Sequence, residues 1–172
     1  LMKIRKNDIF LYGRKMLFQM LEILYPRRCA VCDEIEVTGK GICPLCKDKV
    51  HVAGEPACKK CGKPLVDERK EFCTDCGKKH HVYTQGKAVF VYEGGIRNSM
   101  YRFKYGNKRE YAEFYANAAV EKYGVWLNKI KAEVLIPIPM YSRKKRLRGY
   151  NQAEVFAREL GRKAGILVDE HL

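Results

Sequence analysis

A small zinc-ribbon module followed by an incomplete α/β unit with a parallel sheet is the fold class this sequence predicts. Three observations carry the prediction. All eight cysteines stand as four Cys-x-x-Cys pairs between residues 29 and 76. The cysteine-free second half alternates short β-branched runs with amphipathic stretches, the order of a unit with parallel strands. Only about three of those runs read as strands, fewer than a parallel sheet covered on both faces needs.

The pairs are Cys29/Cys32, Cys43/Cys46, Cys58/Cys61 and Cys73/Cys76, with ten residues between Cys32 and Cys43 and eleven between Cys61 and Cys73. A two-residue spacer lets one tight turn, a knuckle, present two sulfurs to the same ion, and zinc takes four thiolates tetrahedrally. Two Zn²⁺ are therefore expected. Sequential pairing gives one site from Cys29, Cys32, Cys43 and Cys46 and another from Cys58, Cys61, Cys73 and Cys76; a crossed arrangement, with alternate pairs sharing an ion, is the alternative left open. Lys, Asp and Gly fill the gaps, leaving so little apolar material that metal binding should drive folding here. A disulfide framework, iron–sulfur ligation and dithiol redox chemistry are the competing readings. Knuckle spacing, the absence of a visible secretory signal and the cysteine-free second half favour metal and reduced thiols, hence a cytoplasmic protein. His51, His80 and His81 are read as bystanders.

Lys and Arg number 34 against 20 acidic residues, a formal charge of +14 that eight thiolates and two zinc ions would bring to +10. So basic a chain favours a polyanionic partner: nucleic acid, a phosphorylated small molecule or an acidic membrane surface. No stretch approaches the roughly 20 apolar residues of a membrane-spanning helix. The nearest, residues 9 to 24, places Ile9, Leu17, Met20, Leu21 and Leu24 at helical spacing among charges and predicts an amphipathic helix that packs on the protein. The organisation expected is this amino-terminal helix over residues 1–27, the double ribbon over 28–82 and the α/β unit over 83–172. The chain opens Leu1-Met2, which suggests a fragment or a non-standard start, and the α/β unit is expected to continue past Leu172.

Beyond a polar linker from His80 to Gln85, Lys87 to Tyr92 reads as a strand closed by Glu93-Gly94-Gly95. Ile96 to Tyr105 and Tyr111 to about Leu127 read as helices. Val134 to Ile138 is a short strand punctuated by Pro137 and Pro139. Asn151 to Ala164 is a helix with Ala153, Phe156, Ala157, Leu160 and Ala164 on one face and Gly165 past its end, and a further strand begins at Ile166.

Five of the six residues from Arg143 to Arg148 are cationic and are placed in a loop at the carboxyl end of the Val134 strand, just before a helix. Open α/β sheets bind ligands at that edge, and a helix start adds free N–H groups, so Arg143, Lys144, Arg146, Arg148, Gly149, Asn151 and Gln152 are candidate phosphate or nucleic-acid contacts. Gly149 as a turn and Asn151 as a helix cap are the plainer readings of those two. Lys104 belongs to a second basic turn, Lys104-Tyr105-Gly106 with Lys108-Arg109, which alone reads as solvated surface. Tyr101, Phe103, Tyr105 and Tyr111 interleave with these cations as in single-strand binders, though aromatic residues at helical spacing more often build a core. No paired-carboxylate, Ser/His/Asp or Cys/His set can be assembled, so catalytic residues remain unknown, and no glycine-rich nucleotide loop is found.

The order of Leu24-Tyr25-Pro26-Arg27-Arg28-Cys29, the four knuckles, Phe103-Lys104-Tyr105-Gly106, Ile136-Pro137-Ile138-Pro139 and Arg148-Gly149-Tyr150-Asn151-Gln152 resembles the ComF family from about Leu21 onward. The resemblance implies a double zinc ribbon coupled to a phosphoribosyltransferase-like domain and an association with DNA uptake in natural competence. It implies single-stranded DNA and the uptake machinery as partners, placing the protein in the cytoplasm near the membrane. It also implies phosphoribosyl pyrophosphate with Mg²⁺ as a ligand of the complete domain. The family's substrate loop, an acidic pair followed by Thr-Thr-Gly-type residues, has no counterpart here, since Asp169-Glu170 is not followed by such a turn. As an enzyme, this chain is expected to be inactive.

Overall fold

The computed structural model describes residue 20 and residues 24–170. The expected helix over 9–24 lies outside the described residues apart from Met20 and Leu24, whose side chains are exposed.

The cysteine-rich part is built twice on one plan. In each half the first knuckle closes through an amide-to-carbonyl bond, Asp33 N to Cys29 O at 2.9 Å and Gly62 N to Cys58 O at 2.8 Å. The residue after the second cysteine is left-handed in both, Asp33 at φ 68° and Gly62 at φ 74°. Strand-like bridges flank each turn, Arg28 with Ile35 and Ala57 with Pro64, both antiparallel. The second cysteine pair of each half opens a short helix, α1 (Pro44–Lys47) after Cys43 and α2 (Thr74–Lys78) after Cys73. Each helical turn aims the following cysteine, Cys46 or Cys76, back at the knuckle.

The remainder runs α3 (Gly94–Tyr105), α4 (Tyr111–Ile130), β1 (Val134–Leu135), α5 (Ser142–Arg148), α6 (Gln152–Ala164) and β2 (Leu167–Val168). The strands β1 and β2 pair in parallel with Val134 opposite Leu167 and Leu135 opposite Val168. Parallel neighbours need a crossover, and α5 and α6 provide it. Helix α6 packs on α4 and on β2. The stripe read in the sequence faces inward, with Ala157 and Gly161 buried at its centre.

The core joins both halves of the chain: Ala30 from the first ribbon lies fully buried with Ile96, Phe103, Tyr111, Phe114, Tyr115 and Tyr150. The hydroxyls of Ser99 and Tyr115 satisfy each other inside it at 2.7 Å.

Three expectations change. Residues 87–92 form no strand of the parallel sheet. They make a single antiparallel bridge, Phe90 with Val52, through Ala53 N to Val89 O and Val91 N to His51 O, each 2.9 Å. The pairing partner is the connector between the ribbons, and Phe90 stacks on Phe114 at 5.4 Å, so this segment belongs to the seam between the two parts. The strand from Val134 ends at Leu135, because Pro137 and Pro139 have no N–H to give a ladder. The cationic run is a helix, α5, rather than a loop. Arg and Lys are good helix formers, and cations in a last turn favour the negative end of the helix dipole. Gly149 at φ 78° ends α5, its amide bonded to Lys145 O at 2.8 Å.

Candidate metal centres and basic face

The four Sγ atoms of Cys29, Cys32, Cys43 and Cys46 lie within 4.8 Å of one another, as do those of Cys58, Cys61, Cys73 and Cys76. The pairing is therefore sequential. Cys32 and Cys43 sulfurs stand 3.7 Å apart and those of Cys61 and Cys73 3.8 Å. A tetrahedron with Zn–S bonds of about 2.3 Å has edges of about 3.8 Å, whereas a disulfide needs about 2.05 Å. All eight cysteines are unbridged. His80 and His81 belong to neither group, and His51 Nδ1 instead meets Glu93 Oε1 at 2.7 Å.

The charge balance of each group calls for a cation. Burial opposes ionisation of Cys29, but amides of Cys43, Cys32 and Val31 directed at its sulfur outweigh it and lower the thiol to about 7. Cys58 follows the same pattern through Cys73, Cys61 and Lys60 amides and falls to about 6. Burial and the neighbouring sulfurs push Cys46 and Cys76 up to about 12. One thiolate in each group, Cys29 or Cys58, is thus prepared by the backbone, and a metal ion would neutralise the charge that four thiolate ligands bring together. Two four-cysteine sites of this geometry are consistent with two zinc ions. A bound zinc would hold the knuckle and the short helix of each ribbon together.

The two ribbons are attached differently. Asp33 Oδ1 accepts from the Tyr111 hydroxyl at 2.7 Å and pairs with Lys108 Nζ at 2.8 Å. Desolvation works against its charge, yet Lys108 and Tyr111 hold the carboxyl below its usual range. Burial and that carboxylate push Tyr111 upward, keeping its hydroxyl a donor. Arg102 adds a bond to Val31 O. The second ribbon contacts the 86–88 segment: a Cβ on Gly62 would lie 2.7 Å from Ala88 N, and Gln85 Nε2 donates to Lys59 O at 3.2 Å. Lys122 and Tyr123 of α4 brace this seam, each donating to Ala88 O, at 3.1 and 2.8 Å.

The structure divides the candidate phosphate-binding residues into two sets. Asn151 is buried and caps α6, its Oδ1 accepting from Ala153 N at 3.0 Å while Nδ2 donates to Ile138 O at 3.1 Å. Gln152 is buried too, donating to Lys104 O at 3.3 Å and accepting from Arg148 Nη1 at 3.0 Å. Gly149 makes the left-handed turn, and its carbonyl accepts from Arg109 Nη2 at 2.9 Å. These three hold the frame. Arg143, Lys144 and Arg146 are exposed and meet no carboxylate among the described residues, whereas Lys145 is paired with Glu154 at 2.9 Å. Lys104 is half-buried on α3 with an unpaired ammonium among the described residues.

The second basic turn is more than solvated surface. Lys108 serves Asp33, and Arg109 lies over the Tyr150 ring at 4.9 Å. The four interleaved aromatics split by burial: Phe103 and Tyr111 are core, while Tyr101 and Tyr105 are exposed neighbours with ring centroids 5.0 Å apart. Their i, i+4 spacing on α3 was visible in the sequence, but which pair faced outward was not. Asp33 and Glu36 were missed altogether, since only the fold shows what surrounds an acidic residue in a charged loop.

Residues 20–77, about a third of the chain, match the family model for the double zinc ribbon domain, and all eight cysteines fall within the match. No curated protein and no solved structure matches the chain. No helix among the described residues is long and apolar enough to cross a membrane.

Proposed function

We propose that this chain is a ComF-like protein that binds single-stranded DNA through the basic face of α5, with the zinc ribbons as the scaffold that fixes that face, and that it serves DNA uptake in competence. The observation that carries the reading is the cluster of Arg143, Lys144 and Arg146, exposed and free of carboxylates among the described residues, on the helix beside the exposed Tyr101–Tyr105 pair. Such cations repel one another and attract a polyanion, and a strand that binds there releases its counterions. The order of ribbons, Lys104-Tyr105-Gly106 and Arg148-Gly149-Tyr150-Asn151-Gln152 supports the competence association.

The test is binding of a labelled oligothymidylate across a salt series, with zinc content measured on the same sample. Affinity should fall steeply with salt, and replacing Arg143, Lys144 and Arg146 by Ala should lower the log–log slope by about 2, at about 0.7 per phosphate contact. No binding at low salt, or an unchanged slope in the triple variant, would remove this reading.

The parallel β1–α5–α6–β2 crossover favours a second reading, a phosphoribosyltransferase-like domain that takes phosphoribosyl pyrophosphate with Mg²⁺. It puts the cationic helix after the carboxyl end of β1, where open α/β sheets bind phosphorylated ligands. Magnesium-dependent protection of the protein against thermal unfolding by phosphoribosyl pyrophosphate would support it, and no shift would count against it.

A further inference from the structure

Helix α5 carries an anomaly among its charges. Leu147 is 81% exposed between Arg146 and Arg148, where burial gives it no reason to be apolar. Lys144, Leu147 and Arg148 share one side of the helix at i, i+3 and i+4. Together with Tyr105 of α3 they line a pocket of about 400 Å³, within the range of small-ligand sites.

The pocket is shaped before any ligand arrives. Arg148 is held by two hydrogen bonds, Nη1 to Gln152 Oε1 and Nη2 to the Tyr105 hydroxyl, both 3.0 Å, and its guanidinium lies 4.7 Å from the Tyr105 ring centroid. Its remaining N–H groups suit a phosphate. Tyr105 is 58% exposed, and Tyr101 beside it 65%. The Tyr105 ring, an exposed leucine and an oriented guanidinium make one surface that is apolar and cationic at once, which matches a nucleobase joined to a phosphate better than either a bare anion or an apolar ligand.

We propose that this pocket is a nucleotide subsite, in which a base packs against Tyr105 and Leu147 while its phosphate meets Arg148 and Lys144. The proposal rests on the single-strand reading and deepens it: the basic face supplies sequence-independent attraction, and this pocket supplies recognition of a base. The same chemistry is offered by a nucleotide within a strand and by a free mononucleotide.

The experiment compares a dye-labelled dodecathymidylate with an abasic strand of equal length and with thymidine monophosphate, for the wild type and for Tyr105→Ala, Tyr105→Phe and Leu147→Ala. Each substituted side chain is largely exposed, so zinc content should be unaltered, and this is checked for every variant. The wild type should bind the abasic strand more weakly by about 5- to 150-fold, the range that base–aromatic stacking provides. Tyr105→Ala should abolish most of that difference, Leu147→Ala should reduce it, and Tyr105→Phe should retain it because the ring remains. Equal affinity for the two strands, or full discrimination in Tyr105→Ala, overturns the subsite and leaves salt-dependent strand binding standing. Tyr105-dependent binding of the mononucleotide with no gain from strand length supports the subsite and overturns the strand reading. No binding of any of the three overturns both.

Discussion

The Tyr111 hydroxyl donates to Asp33 Oδ1 at 2.7 Å, tying the first residue of α4 to the first zinc knuckle. Asp33 holds the left-handed position that Gly62 holds in the second ribbon. In one ribbon that position carries a carboxylate used as a strut; in the other it carries no side chain, so that the backbone of 86–88 can approach. Ala30, from the same knuckle as Asp33, enters the common core, whereas none of Cys58 to Cys76 does so. The first ribbon is thus part of the core, and the second is fastened to its edge.

Tyr111→Phe tests the strut. The ring still fills its buried place, and Asp33 keeps Lys108 but loses the hydroxyl. A hydrogen bond to a charged group contributes about 1.5–3 kcal/mol, so urea unfolding should shift by an amount in that range. Chelator-driven zinc release should become faster for one ion and remain unchanged for the other.

Unequal attachment also predicts unequal consequences of metal loss. Cys29→Ser should disorder the ribbon that supplies Ala30 and weaken the packing of α3 and α4, visible as lost helical circular dichroism and a lower unfolding temperature. Cys58→Ser should release one zinc while leaving the helical signal nearly intact, with proteolysis confined to the region from about 55 to 86. Equal loss of helix in the two variants would contradict the arrangement.

The cysteine spacing alone was enough to show the ribbons, because a knuckle is a local device whose ligands lie close together in the chain. Sequential pairing was not, since it depends on how the two halves close in space. Helices α3, α4 and α6 were legible from their periodicity, and α6 also from Asn151 and Gly165 at its ends. The segment 87–92 misled because its β-branched and aromatic run is right for extended chain, but its partner at residues 51–53 is chosen by tertiary contacts. The Arg143 to Arg148 run misled in the opposite way: crowded charge suggested a loop, while helix propensity and the Gly149 stop outweighed the repulsion. For the basic face, the sequence showed that cations were concentrated; only the structure shows that Arg148 and Lys145 are engaged while Arg143, Lys144 and Arg146 meet no carboxylate among the described residues.

Glu36 predicts a pH dependence with a definite sign. It is only 4% exposed, and its carboxylate accepts from Thr38 N and Oγ1 and, at 3.1 Å, from Gly41 N. Burial works to raise its affinity for protons, but the Thr38 and Gly41 donors win and lower it below the usual glutamate value. A carboxyl depressed in the folded state adds stability above its unfolded value, about 4.3, and loses it as pH falls through the folded value. Glu36→Gln places an amide donor against Gly41 N or Thr38 N and should cost about 1–3 kcal/mol near neutrality. The difference between wild type and variant in urea should be flat from about pH 6 upward and shrink below about pH 4.3. Acid-driven zinc release acts on both proteins and drops out of that difference.

Two glycine-to-alanine changes in neighbouring helices should move stability in opposite directions. A Cβ on Gly161 of α6 would lie 2.6 Å from Ile166 O and 2.7 Å from Val168 Cγ2, closer than packed atoms approach. The carbonyl belongs to the turn that leads into β2, so it yields only if the helix lifts from the strand. Overpacking of this kind costs about 1–3 kcal/mol, against a gain of up to about 1 kcal/mol for alanine in a helix. Gly161→Ala should therefore lower the urea midpoint and loosen the β1–β2 crossover that carries α5. On Gly124 of α4 the same Cβ meets, among the described residues, only Val120 Cγ1 at 3.6 Å, an ordinary contact. Gly124→Ala should raise the midpoint by the helix gain alone. Were both variants stabilised, the close approach of α6 to β2 would be the part of the fold to abandon.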